Sequence, residues 1–133
     1  MTEQSSQSET ACRVALPVWK DRLSPVFESC SRYLLVDCRH QEILGRSGRD
    51  CIGLDQFGRV LVLFEEQANL LICGAITHVT LNIIQAQGIL IKPFITGKTE
   101  SVLQAYLQGQ LDSPRYWLPG CGRRRGRRFR GGW

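Results

Sequence analysis

Six cysteines and two histidines are the residues of this chain whose types could do chemistry: Cys12, Cys30, Cys38, Cys51, Cys73, Cys121, His40 and His78. Deprotonated thiols are soft donors suited to iron–sulfur and other thiophilic metals, and imidazole is a common companion ligand. Their spacing is loose. No CxxC pair occurs, so zinc-ribbon and thioredoxin readings fall away. Any one of these cysteines can equally be a small buried hydrophobe. Which of them do chemistry depends on which of them the fold brings together.

Catalytic constellations are missing. The chain has no GxSxG, no Walker sequence, no HExxH and no dinucleotide fingerprint. Gly97-Lys98-Thr99 lacks the upstream glycine of a phosphate loop and reads as a turn opening a helix. Glu65-Glu66 reads as solvated helix end, and Asp21 and Glu28 read as loop surface. The chain is therefore expected not to be an enzyme.

Hydrophobic patterning supplies the elements that must position the thiols. Residues 12–18, 32–38 and 42–46 read as three short strands with short links, an antiparallel meander. Asp55 can cap a helix over 56–67, with Phe57, Val60, Leu61 and Phe64 on its apolar face. The apolar run 69–73 suits a buried parallel strand. Thr77 can cap a helix over 78–87, 89–94 reads as a fifth strand, and a third helix follows over 98–108 with Val102, Leu103, Tyr106 and Leu107 on its face. The order β-β-β-α-β-α-β-α predicts one α/β domain. Its mixed five-stranded sheet has the strand order 3-2-1-4-5 and is flanked by helices.

Ligands in such sheets bind beyond the carboxyl ends of the strands, where the topology reverses. That point lies between the first and fourth strands, and the loops there carry Cys30 and Cys73. The meander returns Cys51 to the same edge, where it needs an inward-folding loop to reach the others. Cys12 and Cys38 fall at the opposite edge, as does His40. His78 stands in the first turn after Cys73. Gly74 permits close backbone approach, and the amides opening the helix at 78 favour an anion. The candidate set is thus Cys30, Cys73, Gly74 and His78 around a cofactor, with Cys51 and Cys121 as further metal ligands.

The charge is segregated. Residues 121–133 carry six arginines and no acid. Taking those six from the chain's 17 basic residues leaves 11 against 12 acids, so the body is close to neutral at −1. The chain is read as a lead over 1–10, expected to be disordered, a domain over 11–111, and an irregular Arg/Gly-rich tail over 112–133. The tail suits an RNA or an acidic partner, and Cys121, between two glycines, suits a flap over the thiol edge. The polar start and the lack of a long apolar run lead us to expect a cytoplasmic protein without a membrane span.

The segments VALPVWKDRLSPVFESCSRYLLVD, LLICGAIT and GILIKPFITGKTESVLQAYLQGQL resemble the dinitrogenase iron–molybdenum cofactor biosynthesis family, of the NifX and NifB C-terminal type. The resemblance spans roughly residues 12–111. It implies a ribonuclease-H-like fold. It also implies non-catalytic binding or carriage of an iron–sulfur or iron–molybdenum cluster, or its precursor, between donor and acceptor proteins. Many members carry His-Phe-Gly after the first strand. The matching residues here are Val26, Phe27 and Glu28, so that histidine ligand is absent: either Cys30 nearby replaces it, or this branch binds something else or nothing.

Overall fold

The computed structural model describes residues 11–117. The lead over 1–10 and residues 118–133, with Cys121 and the six arginines after it, lie outside the described residues. Within them the chain forms one mixed α/β domain. Strands β1 (Cys12–Trp19), β2 (Arg22–Leu23), β3 (Arg32–Arg39) and β4 (Glu42–Asp50) come first. Helix α1 (Gln56–Glu65), β5 (Leu70–Ile72), α2 (His78–Ala86), β6 (Leu90–Lys92) and α3 (Thr99–Leu107) follow. Short 3₁₀ turns occupy Phe27–Ser29 and Pro114–Tyr116.

The sheet runs β4-β3-β1-β5-β6, with β2 paired to β1 off this path. β1, β3 and β4 pair antiparallel, while β1, β5 and β6 pair parallel. It therefore has six strands where the hydrophobic pattern predicts five. The extra one is the two-residue return of a hairpin at Lys20-Asp21, too short to show a period. β4 also extends to Asp50, where the pattern predicts an end at 46. Gly45, Ser47 and Gly48 have poor strand propensity, but the pairing of β3 with β4 continues to Arg32–Asp50 and overrides it.

Two apolar layers sandwich the sheet. Side chains alternate along β1, so Ala15 joins one layer while Val14 and Leu16 join the other. The first layer holds Phe27, Tyr33, Leu71 and the inner faces of α1 and α2. The second holds Val36, Ile72 and α3 through Val102, Leu103 and Ala105. Tyr116 and Trp117 pack against this second layer, and Trp117 bridges Ile95. The chain thus stays attached to the domain five residues beyond the point where the pattern places the start of the tail.

Helix α1 departs from its expected orientation. Arg59, Val60, Val62 and Leu63 face inward, whereas Phe57, Leu61 and Phe64 are more than half exposed. The helix is apolar on both faces, so periodicity alone does not choose between them. The choice is made by Arg59, whose backbone and side chain are both tied inward (below). Predicted consequences differ accordingly. Leu63→Ala should cost roughly 2–5 kcal/mol in denaturant unfolding, as for fully buried leucines. Leu61→Ala should cost about 0.5 kcal/mol or less.

Candidate functional site

The carboxyl ends of β1 and β5 are joined by backbone contact. Ala75 N–H donates to Pro25 O at 2.8 Å, and Phe27 N–H donates to Ala75 O at 2.9 Å. Gly74 makes this possible. A Cβ there would stand 2.5 Å from Pro25 O and 2.8 Å from Ser24 O, and both are backbone atoms. The close approach expected at Gly74 is therefore made by the chain's own loop. The loop after β6 closes the other side, with Phe94 N–H donating to Gly74 O at 2.9 Å. Phe94 holds φ at +62°, a left-handed conformation that a bulky residue keeps only when its surroundings impose it.

Behind this junction lie three buried thiols. Cys30, Cys51 and Cys73 belong to one apolar cluster, each at most 1% exposed. Cys30 Sγ and Cys51 Sγ are 3.8 Å apart. Cys51 turns inward as β4 ends, its N–H donating to Ser31 O at 2.9 Å. Burial, with the neighbouring Cys51 sulfur adding to it, pushes the Cys30 thiol up to about 12. Burial likewise raises Cys73, with Glu28 and Cys30 adding to it. At neutral pH these two groups are thiols, and a metal must displace protons to bind them.

Arg59 is the residue that sequence reasoning missed. Its guanidinium is buried beside the thiol pair: Nε donates to Cys30 O at 2.7 Å and Nη1 to Leu54 O at 2.5 Å. Tyr33 Oη donates to Arg59 O at 2.9 Å. Leu54 N–H returns to Cys51 O at 3.2 Å, closing a ring of bonds around both cysteines. No carboxylate pairs with Arg59 among the described residues, whereas Arg13, Arg32, Arg46 and Arg49 all have acidic partners. A charged residue inside a predicted apolar helix was the available signal.

The amides opening α2 do attract an anion, and it is Glu28. Its Oε2 accepts from Thr77 N–H at 3.0 Å and from the Thr77 hydroxyl at 2.7 Å. Glu28 is thus a helix-terminus partner and not a solvated loop residue. Burial acts to raise its pKa, but the bonds from Thr77 and Thr80 outweigh it and leave the carboxyl below the ordinary range. His78 is exposed on the first turn of α2.

The remaining cysteines sit where the meander puts them. Cys12 and Cys38 are cross-strand partners at the far edge, where they line an open cavity of about 300 Å³ with His40 and Tyr106. Among the described residues no three of His, Cys, Asp and Glu are grouped to hold a metal ion. No described helix is long and apolar enough to cross a membrane.

Comparison with known proteins follows the same lines. The family described as "Dinitrogenase iron-molybdenum cofactor" matches residues 10–109. No curated protein matches in sequence. The solved structure of PH0822 is similar with a TM-score of 0.71 at 17% identity, covering 74% of this chain and 90% of that one. The protein MJ0327 of Methanocaldococcus jannaschii gives 0.63 at 20% identity, with 76% and 91% covered. The apo form of the orange protein of Desulfovibrio gigas gives 0.62 at 20% identity, with 74% and 88% covered.

Two predictions test the site's construction. Gly74→Ala should sharply lower the unfolding midpoint, because its Cβ would meet backbone carbonyls that have no room to move. Glu28→Gln should destabilise the domain at neutral pH, and the deficit should shrink on acidification. A carboxyl lowered in the folded state stabilises above its unfolded pKa of about 4.3 and loses that contribution as pH falls. Urea unfolding of both proteins between pH 7 and pH values of about 3 reads this out.

Proposed function

Because the chain belongs to the dinitrogenase iron-molybdenum cofactor family, we propose that it is a non-catalytic carrier of an iron–sulfur or iron–molybdenum cluster, or of a cluster precursor. It would take this cargo from a donor protein of metallocluster assembly and release it to an acceptor, in the cytoplasm. We read the sheet order β4-β3-β1-β5-β6 as ribonuclease-H-like. That label carries no nuclease activity here, since such chemistry needs a carboxylate cluster holding metal ions.

The observation that carries the proposal is the convergence of Cys30, Cys51 and Cys73 in one buried cluster beside the junction of β1 and β5. Thiolate is the donor that iron–sulfur chemistry requires, so these thiols are of the type the cargo takes. Cys30 and Cys73 are the principal proposed ligands. Cys51 adds to them directly through its contact with Cys30. His78, at the opening of α2, and Cys121, in the tail, are auxiliary ligands on this proposal. Gly74 has a structural part in it, setting the loop that covers the thiols.

Loading must open a lid, because all three sulfurs are covered. The exposed turn at Ile52-Gly53-Leu54 and the 3₁₀ turn at Phe27–Ser29 flank the pair and are the natural elements to move. Anaerobic reconstitution with iron and sulfide should give an absorbing, iron-bearing protein. The Cys30→Ala/Cys73→Ala double variant should lose most of that iron. No uptake by the parent, or equal uptake by the variant, overturns the proposal.

A further inference from the structure

We infer that α1 is the contact face of a two-fold homodimer: its stripe of Phe57, Leu61 and Phe64 packs antiparallel on the same stripe of a second copy of this chain. The inference stands apart from the cargo proposal, since no thiol enters it.

The stripe has the composition of a covered surface. Between Gln56 and Phe64 the helix carries one charged side chain, Arg59, and that one is turned inward. The outward face offers water Phe57 at 57% exposure, Leu61 at 54% and Phe64 at 53%. A solvated helix face normally carries polar and charged residues. The turn before the helix extends the patch. Ile52 is 74% exposed, and Leu54 lies over Gly58, where a Cβ would stand 3.1 Å from Leu54 Cβ. Exposed charges flank the stripe at Asp55 and Glu65, where the polar rim of an interface belongs.

Area and spacing select the occupant. A whole aromatic side chain carries about 150–250 Å². Half-exposed Phe57 and Phe64, with Ile52, Leu54 and Leu61, therefore leave on the order of 500 Å² of apolar surface. Homodimer interfaces are roughly 65% apolar, so the stripe corresponds to about 800 Å² per partner. That is the size found in stable complexes, about 1,600 Å² in total. Phe57 and Phe64 lie four and three residues to either side of Leu61. A two-fold axis at Leu61 sets this leucine against its own copy and each Phe57 near Phe64 of the second copy. It also places the positive end of each helix dipole beside the negative end of the other. The six tail arginines match this face less well, because its flanking carboxylates are already engaged, Glu65 by Arg49 and Asp55 by Gly58 N–H.

Sedimentation equilibrium of the full-length, reduced protein tests this. At concentrations of about 100 µM the mass should be twice the 15.1 kDa of one chain. Leu61→Glu sets two like charges face to face at the axis and should raise the dimer dissociation constant by about 100-fold or more. Leu61 is exposed in the separate chain and glutamate is a good helix former, so the variant keeps its fold. Far-UV circular dichroism checks this, and Phe64→Gln serves as a second variant. Leu90→Glu, on the β6 edge at 70% exposure, should dimerise like the parent. Oxidised glutathione should join two chains of Leu61→Cys beyond the level of the parent. It should not do so for Phe57→Cys, whose two copies lie about 12 Å apart along antiparallel helices.

A parent that stays at 15.1 kDa overturns the dimer. A folded Leu61→Glu protein that associates like the parent, or a Leu90→Glu protein that does not, overturns the assignment to α1. Equal cross-linking through Phe57→Cys and Leu61→Cys overturns the antiparallel arrangement. None of these readouts depends on iron uptake, so the carrier proposal stands or falls separately.

Discussion

One buried guanidinium organises the site side of this domain. Arg59 is 9% exposed and bonded through its guanidinium to two backbone carbonyls. Burying it is expensive, and the fold recovers that cost by using it as a tie between three segments: the loop before β3, the turn after β4, and α1 itself. Turning α1 over would bury Phe57, Leu61 and Phe64 but strand the guanidinium's partners. The helix therefore keeps Arg59 inside and leaves a large apolar stripe in water. The same tie holds Cys30 against Cys51, so helix orientation and thiol pairing are one constraint.

A second constraint sits across the sheet edge. β1 and β5 run parallel and end side by side, which leaves their following loops to compete for the same space. Gly74 resolves this by having no side chain, so the carbonyls of Ser24 and Pro25 can lie over it. The backbone bonds between residues 25–27 and Ala75 then continue the parallel pairing beyond the strands. Phe94 accepts a left-handed conformation to close the far side. Cys73 lies under all of this and is wholly buried. The cover over Cys73 is thus made of backbone hydrogen bonds.

Much of this was legible in the sequence, for reasons that differ by element. The segments 12–18, 32–38 and 69–73 are dense in apolar and β-prone residues, and the caps Asp55 and Thr77 each receive the hydrogen bond expected of them. Element order then sorted the cysteines between the two edges of the sheet without any contact information. What stayed hidden depends on tertiary partners. β2 exists only as a hairpin return, and the second half of β4 only because β3 lies alongside. The inward face of α1 was ambiguous because both faces are apolar. Glu28 looked like a surface charge and Arg59 was passed over, since nothing local shows that the first has amides and the second has carbonyls waiting for it.

Glu28 changes what the site can offer a ligand. The resemblance sets Glu28 against the glycine of a His-Phe-Gly pattern, a position without a side chain. Here a carboxylate fills that position and bonds to Thr77. An incoming anion would have to expel Glu28, trading one set of charge-assisted bonds for another. Little net affinity is left in the helix terminus. The chain's own contacts thus fill the loop after β1, and the thiols of Cys30, Cys51 and Cys73 lie in the core beneath it, with the Arg59 guanidinium bonded to the Cys30 carbonyl.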